Sequence, residues 1–155
     1  MFSFPRTVNE KAARVVAGGV AIIALAALLA PAQWLLVPLA LGFWARVLTG
    51  PKLSPLALLA TRVIAPRLGA PREVAGPPKR FAQGMGATIT TLGALAWALG
   101  FGTVADVLLA MLVVAATLES VFAYCLGCQI FGLLMRAGVV PEDVCAECAD
   151  IWARA

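Results

Sequence analysis

Residues 104–126, VADVLLAMLVVAATLESVFAYCL, decide how this chain folds. The stretch is rich in Leu, Val and Ala, with no apolar–polar alternation, and its acids are Asp106 and Glu119. Only helices and closed barrels satisfy every backbone polar group in lipid, and an unalternating run of this kind is a helix. A bilayer core takes about 20 apolar helical residues to cross. Apolar character persists as far as Met135. A single helix of about 32 residues would run to about 48 Å, too long for one crossing. The helix is therefore expected to leave the membrane near Gly127 and continue along the interface through Arg136.

Three more apolar runs precede it, at residues 15–30, 33–48 and 81–101. The second is short, contains Pro38 and ends near Arg46, whose guanidinium can snorkel to the interface. The whole chain of 155 residues is 62% hydrophobic and 13% charged, with a mean hydropathy of +0.94. Soluble domains carry about a quarter charged residues, so a soluble α/β enzyme, a disulfide mini-protein and a disordered tail are excluded. Histidine is absent, which removes sites that need imidazole. The net charge of +4 comes from residues that flank apolar runs, and no nucleic-acid footprint is read from it. The expectation is an all-α integral membrane protein of one domain. It is a four-span antiparallel transmembrane helix bundle with a cytoplasmic amphipathic helix and a short C-terminal helix.

Charge sets the orientation. The turns at Pro31-Ala32 and Gly102-Thr103 hold no Lys or Arg, and all 12 basic residues fall on the other side. The positive-inside rule puts both termini, the loop 49–80 and the segment 127–155 in the cytoplasm. Trp34, Trp44, Trp97 and Phe101 suit an interfacial aromatic belt. The first run with Ala30-Pro31-Ala32 also has the outline of a signal peptide. The long basic region before it and Pro31 inside the cleavage-like site favour an uncleaved span.

Local signals fill in the cytoplasmic side. Thr7-Val8-Asn9-Glu10 matches a capping box. Ser54-Pro55 reads as an N-cap and first helical residue. Leu56, Leu59, Ala60, Val63 and Ile64 follow at helical spacing until Pro66, with Arg62 and Arg67 alongside. That pattern suits a helix on the inner leaflet, and equally a connector packed on the bundle. Residues 69–78 read as an extended linker. In the third run Ala82, Gly86, Thr90, Gly93 and Ala94 share a side, where small residues let backbones approach. Packing inside the bundle is the favoured use, and a homo-oligomer contact is the other.

All four cysteines fall into two CxxC pairs, Cys125 with Cys128 and Cys145 with Cys148, 16 residues apart. In a reducing compartment stable structural disulfides are rare. Two chemistries remain. The pairs cycle thiol and disulfide, or carry sulfur, with a soluble partner, Cys145 and Cys148 relaying to Cys125 and Cys128. Alternatively the four thiolates hold a structural zinc or iron in a non-enzymatic scaffold. The second pair is expected in a C-terminal helix opened by Pro141, with Val144, Cys148, Ile151 and Trp152 as its apolar face. If the first pair ends a span, the helix dipole there disfavours thiolates. Glu119, Arg46 and Gln83 form the polar group within the spans, where ionisable residues are functional candidates by default. An Arg46–Glu119 contact beneath the first cysteine pair is expected, and Asp106 is read as a helix-start residue. A solute carrier built on Glu119 is a third class, but the chain has no internal repeat and no span visibly broken mid-membrane.

Taken as a set, several motifs resemble a bacterial membrane family catalogued as domain of unknown function 4395. They are Val8-Asn9-Glu10 with Ala13-Arg14-Val15-Val16, Arg46 with Ser54-Pro55, Pro78-Lys79-Arg80-Phe81-Ala82-Gln83, and Cys125-Leu126-Gly127-Cys128. The resemblance extends over most of the chain. It implies a bacterial inner-membrane protein associated with thioredoxin-like or sulfurtransferase partners.

Overall fold

The computed structural model describes residues 7–139 apart from Pro31, Pro51 and Pro71. It is a helical structure with one small ribbon. Strand β1 (Thr7–Asn9) leads into α1 (Glu10–Leu29), and a 3-10 turn at Gln33–Leu35 opens α2 (Leu36–Thr49). Helix α3 (Pro55–Leu59) continues as a π turn at Ala60–Ile64 and a 3-10 turn at Ala65–Leu68. Strand β2 (Glu73–Ala75) then precedes α4 (Gly76–Ala98), α5 (Gly102–Phe122) and α6 (Leu126–Arg136).

Helix α1 lies against α5, α5 against α4, and α4 against α2, with α6 laid on α4. The buried stripes keep helical periodicity, as an inward face must. They are Val16, Val20, Ala24 and Ala27 on α1, Leu36, Leu39 and Phe43 on α2, and Ala105, Leu109, Leu112 and Ala116 on α5. The outer faces are apolar as well: Leu29 is 74% exposed, Leu99 72% and Phe122 70%. Helices α1 and α5 are long and apolar enough to cross a membrane, with mean hydropathies of 2.2 and 2.0. The stretch Gln33–Thr49 is apolar but shorter. Helix α4 has the length, yet it carries Lys79, Arg80, Gln83 and three threonines.

The small-residue face of α4 packs within the chain. A Cβ on Gly86 would run into the Phe43 ring, and one on Gly93 would lie 3.0 Å from Leu36. The buried Thr90 hydroxyl donates back to the Gly86 carbonyl at 2.7 Å, so it costs the interface no unmet polar group. Far from the basic end, Gln33 joins the two tight turns by donating to the Gly102 carbonyl at 3.0 Å and to Asp106 at 2.6 Å. Asp106 thus bridges turns in addition to sitting in the opening turns of α5.

Three local expectations change. The helix begins later than the capping box placed it, because residues 7–9 are spent on the ribbon. β1 pairs antiparallel with β2, Val8 opposite Val74. Asn9 is the actual N-cap, its side chain accepting from the Lys11 amide at 3.0 Å, and Glu10 pairs instead with Arg72 at 3.0 Å. The linker 69–78 is correspondingly structured, since Glu73–Ala75 pair and Pro77 and Pro78 fall in the first turn of α4. Asn9→Ala is expected to lower stability by about 1 kcal/mol, the usual cost of an N-cap, read as a fall in the thermal midpoint in micelles.

The segment after Ser54 packs on the bundle, as its connector reading expected. Ala57, Ala60 and Ala65 are buried, and α1 packs on this segment, while Leu59, Val63, Arg62 and Arg67 face outward. The Ser54 hydroxyl accepts from the Ala57 amide at 3.4 Å, as an N-cap does. Finally, the long apolar run does not continue smoothly to Gly127. Ala123 adopts a left-handed conformation (φ 55°) that ends α5, and a new helix starts at Leu126. Arg14 closes the open end of α5, donating to the Ser120 and Val121 carbonyls at 3.0 and 3.2 Å.

Candidate functional site

The break at Ala123 places Cys125 at the N-cap of α6 instead of at the end of a span. Its sulfur accepts the Cys128 backbone N–H at 3.3 Å. The expected dipole effect is therefore reversed: the thiol faces the positive end of a helix, which favours the thiolate. Gly127 explains how the turn seats. A Cβ there would lie 2.5 Å from the Ala82 Cα, so only glycine lets α6 approach α4 this closely. Phe81 and Phe131 then meet with ring centroids 5.7 Å apart, clamping the same two helices.

Lys79, in the first turn of α4, approaches from the other side. Its ammonium meets Glu119 Oε1 at 2.6 Å, with side chains only 10% and 15% exposed. The expected Arg46–Glu119 contact is corrected here: Glu119 takes Lys79 as its ion-pair partner. Arg46 Nε donates to Gln83 Oε1 at 2.8 Å and Nη1 to the Ser54 hydroxyl at 3.1 Å. Its carbon Cζ stands 4.5 Å over the Phe43 ring, a cation–π contact. Nη2 is buried and meets no acceptor among the described residues. Gln83, which the sequence grouped with Arg46 and Glu119, does contact Arg46.

Lys79 and Glu119 form one ion pair, with Arg46 held apart from it by Gln83, Ser54 and Phe43. The thiols lie beyond the end of α5 and respond to it. The S–H of Cys128, hydrogen-bonded to Cys125, is the largest influence, and with Lys79 it holds the Cys125 thiol below the ordinary range against burial and Glu119. Cys128 is driven the opposite way, by that same hydrogen bond and by burial. Burial disfavours the Lys79 ammonium, but Glu119 and the two sulfurs outweigh it and keep it protonated. The two thiols are thus driven apart, Cys125 below the ordinary range and Cys128 above it.

An apolar cavity of about 170 Å³ ends on this cluster. Gln83, Glu119 and Cys125 form its polar end, and residues of α1, α2, α4 and α5 form its walls.

The family follows from the chain itself: residues 8–136 match a profile described as Domain of unknown function (DUF4395). The chain belongs to this family. The match takes in the ribbon from Val8 onward, the six helices of the described residues and the first cysteine pair. No curated protein and no solved structure matches the chain. The second pair, Cys145 and Cys148, and the C-terminal helix expected to carry it lie outside the described residues. The four-cysteine zinc or iron site needs that pair, and among the described residues no group of three or more His, Cys, Asp and Glu side chains gathers.

Sequence reading missed Lys79 as a site residue. It had counted only as one of the topogenic basic residues, because its partner Glu119 is 40 positions away. The signal was its place one helical turn before Gln83, which puts both on one face of α4.

Proposed function

We propose that this protein is a four-span membrane protein, both termini cytoplasmic, that exchanges disulfides or transfers sulfur with a soluble thioredoxin-like or sulfurtransferase partner. The carrying observation is Cys125 at the N-cap of α6, bonded by the Cys128 amide and set beside Lys79. Cys125 is the attacking thiolate and Cys128 the resolving thiol. Exchange passes through a Cys125–partner mixed disulfide: a partner disulfide opened by Cys125 is released as a dithiol when Cys128 closes the Cys125–Cys128 disulfide, and the same steps run in reverse when a partner dithiol reduces that disulfide. Cys145 and Cys148 are the second station of this relay. The outward apolar faces of α1, α2, α4 and α5 support the bilayer placement. The basic residues gathered at the ribbon end support its orientation toward the cytoplasm.

The test is the pH profile of alkylation at Cys125, followed by mass spectrometry in a Cys145→Ser, Cys148→Ser background. Reaction with iodoacetamide is expected to rise with pH through a midpoint below the ordinary thiol value of about 8.5. An ordinary or raised midpoint rejects the nucleophile. Labelling of these thiols on intact cells by a membrane-impermeant maleimide rejects the orientation.

A further inference from the structure

We infer that the cavity behind Cys125 is a binding site for the ring of a membrane-soluble quinone, which takes electrons from the Cys125–Cys128 pair. This rests on the thiol reading above and gives it a direction and a second substrate. The cavity volume of about 170 Å³ matches what a single ring requires, since an apolar cavity of about 150 Å³ holds benzene. Its walls include Val20, Phe43, Ile89 and Met111, and Met111 is 53% exposed on the outer face of α5. A ring can therefore enter between α4 and α5 from the lipid side, its isoprenoid tail remaining among the acyl chains.

Only the inner end of the cavity is polar, and its chemistry suits a carbonyl oxygen. Gln83 gives its own carbonyl to Arg46, so its amide nitrogen is the end left for a ligand. Arg46 does not line the cavity, but it holds the Gln83 carbonyl through Nε at 2.8 Å and so fixes which end of that amide is taken. A lipid acyl chain would fill the apolar part but leave this end unanswered. Cys125 is part of the same wall.

The reaction balances without any further reagent. The Cys125 thiolate and the Cys128 thiol lose two electrons and one proton as the S–S bond forms. The quinone accepts both electrons, that proton and one more from water, becoming a quinol. A soluble dithiol partner then reduces the pair by thiol–disulfide exchange and leaves oxidised.

The experiment uses the full chain, reduced, freed of reductant and embedded in phospholipid nanodiscs. Decyl-ubiquinone is the probe, because its fully substituted ring offers no open position for thiol addition. The expected result is one quinol formed per Cys125–Cys128 disulfide, with the rate falling at least tenfold in Met111→Trp, which plugs the mouth, and independently in Ala115→Leu. Thiols that stay reduced in excess quinone overturn the proposal. So does a rate unchanged in both cavity variants, which would mark reaction from bulk solution. Iodoacetamide alkylation of Cys125 runs alongside. Low-pH alkylation without quinol formation sinks the quinone site alone, whereas ordinary alkylation sinks the nucleophile as well.

Discussion

Replacing Lys79 by Met is expected to lower stability by about 3–5 kcal/mol, the cost of leaving one member of a buried ion pair behind. Glu119 loses its 2.6 Å partner where its side chain is only 15% exposed, leaving a buried carboxylate without its cation. The thermal midpoint in micelles reads the loss. The same substitution moves the alkylation midpoint of Cys125 upward, because a cation that favours its thiolate has gone. A second variant separates the two effects. Lys79→Met with Glu119→Leu removes both charges, and apolar replacement of a buried pair is often near neutral, so most of the stability returns. Cys125 in that double variant keeps part of its upward shift, since Glu119 opposed the thiolate less directly than Lys79 supported it. A single-variant cost below about 1 kcal/mol would place the pair with exposed salt bridges and refute its burial.

Gly127→Ala is expected to cost about 1–3 kcal/mol, the range for overpacking a closed contact. The added methyl would sit 2.5 Å from backbone of α4 at Ala82, and backbone cannot rotate aside. Helix α6 must lift, opening the Phe81–Phe131 contact and weakening the amide–sulfur bond at Cys125. The thiol should therefore drift back toward an ordinary midpoint although no chemical group at it has changed. Ala82→Gly is expected to restore part of both properties. Gly84→Ala is the control: nothing lies within 4 Å of its Cβ, and it should be neutral or slightly stabilising. Unchanged alkylation in Gly127→Ala would show that the docking of α6 does not tune the thiol.

The helices were legible from composition because apolar runs of this length have one solution when backbone polar groups cannot reach water. Runs 15–30, 33–48, 81–101 and 104–126 fall on α1, α2, α4 and α5. What stayed hidden depends on contacts between distant residues. The ribbon between Thr7–Asn9 and Glu73–Ala75 is too short to show a period, and its pairing spans the chain. The ending of α5 at Ala123 carries no Gly or Pro to announce it, and is secured by the Arg14 guanidinium from α1. At the site, the cysteine pair, Arg46, Gln83 and Glu119 were visible as unusual residues for their surroundings. Their pairing was not, because Lys79 and Arg46 are both basic residues at similar depth and only the packed helices decide which one reaches Glu119. The dipole acting on Cys125 changed sign for the same reason: one residue in a left-handed conformation converts the end of one helix into the start of the next.

The order of synthesis gives the Lys79–Glu119 pair a further meaning. Lys79 emerges from the ribosome first, Glu119 only when most of α5 has been made, and Cys125 after both. While α5 and α6 are still unplaced, the sulfur has neither its helix start nor its neighbouring ammonium. An unfinished or wrongly inserted chain therefore carries an unremarkable cysteine, slow to capture passing thiols. If Cys125 is the nucleophile proposed above, its reactivity arrives together with completed assembly.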